Sequence, residues 1–360
     1  MSDRYEPLRR LLADAGYVFV EPPIVHDAGV FVELAGEDLR RRLYLTTAED
    51  GRELALRPDY TIPVCLTHLA TGAASRKANY AYLGPVFRMR PGESGEFRQA
   101  GVESLGRTDR VAADADVLKL AFAVADLTGV RKPMVKIGDS ALFAALLGGL
   151  DLSAPWQRRL ERAFGDTKRL KSFIVRANGA AKETPAPTGM GDRAHVRAAV
   201  AKQFAATGLG VVGGRTAEEV AERFVEKRTL AAGIGARAAA TLREFLAIAG
   251  TPVAALDALT ALAKAEKLDL GKAIDRFDKR TQAFAAHGID IDRLTFAADF
   301  GRRLDYYTGF VFEFHAGARA KTGPLIGGGR YDRMMALIGN REAVPAVGFA
   351  VWLDRIGAAI

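Results

Sequence analysis

The chain has 360 residues, 49% of them hydrophobic and 26% charged, with a formal net charge of +8. That balance excludes a disordered chain and suits one large domain with a smaller one. A single cysteine, Cys65, excludes an internal disulfide and a cysteine-built zinc cluster, and fits a reducing compartment.

The first segment, MSDRYEPLRRLLADAGYVFVEPP, has a mixed-charge helical pattern over Tyr5 to Ala15 and then an extended stretch. It lacks the continuous apolar core and small-residue cleavage site of a signal peptide. No later run approaches the roughly 18 apolar residues of a membrane span, so a cytoplasmic protein without a membrane partner is expected. Strands are predicted around Leu43 to Thr46 and Leu54 to Leu56, and a helix over Thr61 to Ala70 starts just past Pro58 and Asp59. Two β-rich segments, ANYAYLGPVFRMR and FRQAGVESLG, are joined by the Gly- and Pro-containing PGESGE. An apolar helix over Ala112 to Leu127 follows.

The middle opens with VKIGDSALFAALLGGL, a strand and then a helix, and becomes helical and Ala-rich around the loop KETPAPTGMGD. Strands return at LTFAADFG and FVFEFHAG, before GGGRYD and a short terminal helix. The fold class is α+β: residues 1–127 and 291–360 form one domain around a mainly antiparallel sheet flanked by helices, and residues 128–290 a mostly helical insertion.

Several patterns are set aside. Gly208, Gly210 and Gly213 match a dinucleotide fingerprint in spacing, but a helical segment precedes them where a strand is required. Thr216 and Glu219 offer a capping box for the next helix. Gly138-Asp139-Ser140 reads as a helix cap. His26, His68, His195, His287 and His315 form no metal-binding spacing, so no metal is expected. The basic residues read as a solvated surface, with no stacking aromatics interleaved for nucleic acid.

Four segments belong together: LRPDYT (56–61), GPVFRMRPGESGEFRQAGVE (84–103), GRRLDYYTGFVFEFH (301–315) and GGGRYDRMMALIGNREAVPAVGFAVWLDRI (327–356). In this order they resemble the histidyl-tRNA synthetase family of class II synthetases, with helix 5–15 and Pro23 where the dimerisation motif lies. The resemblance implies a class II synthetase-like sheet, a homodimer and a histidine pocket. It assigns Asp59, Thr61 and Gln99 to the α-ammonium, Arg88 to the carboxylate, Glu103 to the imidazole, and Tyr306 and Tyr307 to the ring wall. Arg302 aligns with the family's catalytic arginine and either contacts the ligand or is turned away, since Arg303 replaces a neighbouring glycine. Residue chemistry agrees with such a set, because zwitterionic histidine requires an acid, a cation and a group that reads the ring nitrogens. On a strand, Gln99 and Glu103 share a face. Taken singly, Asp59 is equally a helix cap, Glu103 a strand charge and the tyrosines core packing.

The nucleotide half departs from the family. Arg90 stands where motif 2 carries an acid, the loop between Arg90 and Gln99 is shorter, and Trp352 replaces a glycine of motif 3 while Arg355 keeps its place. The sequence also stops four residues after Ile356, leaving no room for an anticodon-binding domain. These departures are similar to the regulatory paralogues of ATP phosphoribosyltransferase. They imply a non-catalytic subunit, without cofactor or tRNA, that activates the short-form catalytic subunit in the first step of histidine biosynthesis. Histidine would be its feedback effector, and the chain a homodimer within a hetero-oligomer. The alternatives are a truncated synthetase-like enzyme that activates histidine with ATP, and a dimerisation module with a vestigial pocket.

Overall fold

The chain builds two sheets in the computed structural model, which describes residues 4–34, 39–72, 76–183, 193–207, 216–302, 306–317, 323–340 and 342–359. The larger runs, in spatial order, β1 (Val18–Phe19), β5 (Ala78–Phe87), β6 (Glu96–Leu105), β12 (Ala346–Trp352), β11 (Ile326–Arg330), β10 (Phe310–His315), β7 (Met134–Asp139), β9 (Leu294–Ala297) and β8 (Ala249–Gly250). Its pairs are antiparallel except β1 with β5 and β7 with β9. The smaller sheet is antiparallel, with β4 (Glu53–Leu56) between β2 (Val25–Asp27) and β3 (Leu45–Thr47).

The α-helices among the described residues are α1 (Glu6–Asp14), α2 (Ala28–Leu34), α3 (Thr61–Ala70), α4 (Arg110–Leu127), α5 (Ser140–Gly149), α6 (Ala154–Ala163), α7 (Thr167–Glu183), α8 (Arg193–Thr207), α9 (Ala217–Ala231), α10 (Ala236–Ala247), α11 (Pro252–Glu266), α12 (Gly271–Ala286), α13 (Met334–Leu337) and α14 (Leu353–Ala359). The caps read from sequence are present. Thr216 accepts from the Glu219 amide while the Glu219 carboxylate accepts from the Thr216 amide. Asp139, at the N-cap of α5, accepts from the Ala141 amide at 2.8 Å. Residues 134–139, inside the stretch expected to be a helical insertion, form β7 between β10 and β9 of the main sheet. From Ser140 to Ala286 the described chain is helical apart from connections and the two-residue β8. The run Gly208 to Gly213, residues 184–192 of the Pro/Gly loop, and Arg303 lie outside the described residues.

Strand alternation divides the sheet into a packed face and a polar one. Phe310, Phe312 and Phe314 on β10, Ala100 and Val102 on β6, and Val347, Phe349 and Val351 on β12 join one core with the helices. Phe314 meets Phe122 of α4 edge-on at 4.8 Å, and Phe310 meets Phe284 of α12 at 5.2 Å. Helix α4 is buried on several faces because it lies between this sheet and α12, which also encloses Asp114. That carboxylate is held by Arg330 at the end of β11, at 2.6 and 2.9 Å, and by Arg280 of α12 at 3.3 Å. Arg280 also pairs with Asp139, and Arg330 with Asp332 at 2.8 Å. The buried ion network thereby ties the helical stretch to the strand that precedes Tyr331.

Candidate histidine pocket

The opposite face of the sheet is organised in cross-strand rows, each setting a large polar side chain beside a small residue. Glu103 of β6 lies between Tyr80 and Gly348, Gly101 between Tyr82 and Ala350, and Gln99 between Gly84 and Trp352. The glycines make the pocket possible. A Cβ on Gly348 would overlap the Glu103 Oε2, and one on Gly327 would overlap the Arg302 guanidinium.

The eight residues singled out from the sequence, Asp59, Thr61, Arg88, Gln99, Glu103, Arg302, Tyr306 and Tyr307, all line one cavity of about 30 Å³. That is about the volume of one water molecule, so a bound amino acid requires the lining side chains to move apart. Glu103 is 1% exposed; its Oε1 accepts from Thr61 Oγ at 2.7 Å and its Oε2 from the Tyr331 hydroxyl. Burial pushes its carboxyl up to about 8 against these hydroxyl contacts. Asp59 has two roles. Its Oδ1 accepts from the Ile62 amide in the first turn of α3 at 3.4 Å, while its Oδ2 is buried without a partner. Burial raises the Asp59 carboxyl, opposed chiefly by the charge of Arg88.

The amide of Gln99 is fully buried, with neither its oxygen nor its nitrogen bonded. Arg302 donates from Nη1 to Glu313 at 3.2 Å and leaves its Nε buried and unbonded. Arg88 donates its Nε to the Pro58 carbonyl at 2.5 Å. Buried polar groups are ordinarily paired. Here one oxygen of an acid, a whole amide and one nitrogen of a guanidinium lack partners around one cavity, which is the complement of a small zwitterion. The Tyr306 and Tyr307 rings, 4.8 Å apart, form a wall beside them, with Tyr331 edge-on to Tyr306 at 5.9 Å.

Sequence reading did not assign Tyr331, Gly327 or Gly348, although Tyr331 and Gly327 stand in the quoted GGGRYD string and Gly348 in the quoted last segment. Glycines interrupting apolar strands were the available signal.

Trp352, which lines the same cavity, is 5% exposed, with the Arg302 and Arg355 guanidiniums 5.6 and 5.1 Å from its ring centroid. Arg90 is drawn to its own loop, donating to Glu93 at 2.6 Å and to the Ser94 carbonyl, and packs on Phe97. The indole and its arginines thus fill the space that a glycine would open. Among the described residues no cluster of three or more His, Cys, Asp or Glu is arranged to hold a metal, and no helix is long and apolar enough to cross a membrane.

Comparison with known proteins gives concordant relatives. The family described as histidyl-tRNA synthetase matches residues 2–207 and 216–356. The ATP phosphoribosyltransferase regulatory subunits of Brucella canis and Brucella suis are each 40% identical over 347 residues, covering 94% of this chain and 92% of theirs. Among solved structures, an ATP phosphoribosyltransferase regulatory subunit/histidyl-tRNA synthetase from Bacillus halodurans superposes with a TM-score of 0.68 at 23% identity, over 100% of this chain and 81% of that one. The histidyl-tRNA synthetase of a Nostoc species gives 0.64 at 18% identity, over 98% of this chain and 69% of that one. At these identities the superpositions speak to the fold alone.

Proposed function

The chain belongs to the histidyl-tRNA synthetase family and, within it, to the regulatory subunits of ATP phosphoribosyltransferase, and from that premise we propose that it binds free histidine and conveys its level to a catalytic subunit. The observation that carries this reading is the set of buried, unpaired polar atoms of Asp59, Gln99 and Arg302 around one cavity beside Glu103. The Asp59 carboxylate receives the α-ammonium with Thr61 and Gln99, Arg88 and Arg302 face the α-carboxylate, and Glu103 reads the imidazole between the tyrosine rings. An ammonium next to Asp59 adds to the charges of Arg88 and Arg302 in offsetting the burial that raises its carboxyl.

The second half of the proposal is that the chain performs no chemistry of its own. Trp352, packed by Arg302 and Arg355, and Arg90, bonded into its own loop, occupy the nucleotide side and support loss of adenylation. The chain acts in the cytoplasm as a homodimer within a hetero-oligomer with the short-form catalytic subunit. It enables that subunit's turnover, and histidine lowers turnover by favouring one conformation of the complex.

Calorimetric titration tests the pocket: histidine gives saturable heat and ATP gives none. Mixing the purified chains and following phosphoribosyl-ATP tests the role, with activation expected in the absence of histidine and inhibition in its presence. Histidine-dependent pyrophosphate exchange by the chain alone would restore the enzyme reading and refute this one.

A further inference from the structure

The basic charge, read from sequence as a dispersed solvated surface, has one dense stretch. Residues 154–176, covering α6 and the first part of α7, carry seven Lys and Arg against two acids, with Arg158 paired to Glu226 of α9 and Lys171 to Asp299. Arg159, Arg169 and Arg176 gather around one aromatic ring, Phe173, at 4.3, 5.4 and 5.8 Å from its centroid. Among the described residues these three and Arg243 have no carboxylate within ion-pair distance. On the other face of α7, away from that cluster, α7 and α10 leave a groove of about 300 Å³ lined by Ile174, Val175, Leu246 and Ala247 and rimmed by Lys171 and Arg243. Val175 is 64% exposed in its wall.

We propose that this groove is the docking site for the catalytic subunit, receiving a segment of it that carries acidic side chains flanking an apolar one. The inference rests on the functional reading above and names the surface through which it operates. Charge complementarity selects the occupant: Lys171 and Arg243 at the rim of an apolar floor match carboxylates flanking an aliphatic or aromatic anchor. A nucleic acid fits less well. The floor is aliphatic, and of the aromatics of this layer Phe173 and Trp156 are 7% and 4% exposed while Phe164 is stacked on Phe143, so none is free to stack on bases.

The position of the groove also connects it to the histidine pocket. Thr167 of α7 donates to the Asp299 carbonyl at 3.2 Å, and Lys171 lies 3.9 Å from the Asp299 carboxylate. Three residues on is Arg302, and Gly301 between them packs so closely on Phe164 and Gly165 that a side chain there would overlap Phe164. A partner carboxylate at Lys171 competes with Asp299, and so acts on the segment that carries Arg302 into the pocket. Docking and histidine binding are then linked, each altering the affinity of the other by the same factor.

The test uses the full chain with Val175→Asp/Arg243→Glu, and separately Lys171→Glu, titrated with the purified short-form catalytic subunit by calorimetry and sedimentation. The double variant changes exposed residues outside the pocket, so an unchanged histidine isotherm certifies its fold, and its affinity for the subunit is expected to fall at least about tenfold with a weaker salt dependence. Should that double variant lose histidine binding, Arg243→Glu alone serves. Variants that associate as tightly as wild type overturn the surface while leaving the function intact. A wild-type chain that does not associate with the subunit refutes the functional reading instead. Binding of a short RNA duplex that the variants abolish, with subunit association untouched, would reassign the groove to nucleic acid and overturn the proposal.

Discussion

Replacing Glu103 by glutamine separates the charge of the imidazole reader from its shape. In the wild type the carboxylate accepts from Thr61 at 2.7 Å and from Tyr331, and no water reaches it at 1% exposure. Glutamine keeps the volume. Its oxygen accepts one hydroxyl, and the other hydroxyl rotates to accept from the amide, so neither is stranded. What disappears is the charge-assisted bond to the ring N–H of histidine. Hydrogen bonds to charged groups contribute about 1.5–3 kcal/mol, so histidine affinity should fall about 10- to 100-fold above about pH 8, where the carboxyl is ionised, and less at neutral pH, where it holds its proton in the ligand-free chain. Glu103→Ala should lose affinity as well, but also leaves two buried hydroxyls without an acceptor, lowering folding stability by about 1–3 kcal/mol for each. Calorimetry with histidine, alongside urea unfolding of both variants, reads the two effects separately. If either variant bound histidine as tightly as wild type, the role given to Glu103 would be wrong.

The Glu103 carboxyl, held at about 8 when folded against an ordinary value of 4.5, keeps its proton over a pH range in which the unfolded chain has lost it. Stability of the ligand-free chain should therefore fall as pH rises from about 4.5 to 8 and level off above that, with Asp59 acting in the same direction. Thermal unfolding across this range should show a shallower dependence for Glu103→Gln, and an equal slope would contradict the assignment. Gly348→Ala forces a methyl onto the Glu103 carboxylate and the Val102 carbonyl and should abolish saturable histidine heat; retention of full affinity would mean the row geometry does not shape the pocket. Arg280→Met leaves Asp139 and half of Asp114 without their cation in the buried network and should cost about 3–5 kcal/mol in urea unfolding. A loss below about 1 kcal/mol would show that the remaining Arg330 contacts suffice.

Local pattern determined a good deal. The helices near 5–15, 61–70 and 112–127 and the capping box at Thr216 follow from periodicity and cap chemistry acting over a few residues, and all are present close to their expected ends. The shared face of Gln99 and Glu103 follows from the two-residue period of a strand, which tertiary structure does not alter. The resemblance carried by four motifs brought eight residues from distant segments to one cavity. Tertiary structure decided the rest. Tyr331 reaches Glu103 across 228 positions of chain, and Gly348 lies opposite it only because β12 pairs with β6 in that register. Asp59 was equally a cap and a ligand on sequence grounds, and the fold divides its oxygens, spending one on the Ile62 amide and leaving the other facing the cavity. The meeting of Lys171 and Arg243 over an aliphatic groove was invisible for a similar reason. Lys171 and Arg243 belong to helices far apart in sequence, and their joint field exists only where the core packs α7 against α10. Side-chain direction is a local property of the backbone, whereas the neighbour a side chain meets depends on strand order and helix packing, which long-range burial sets.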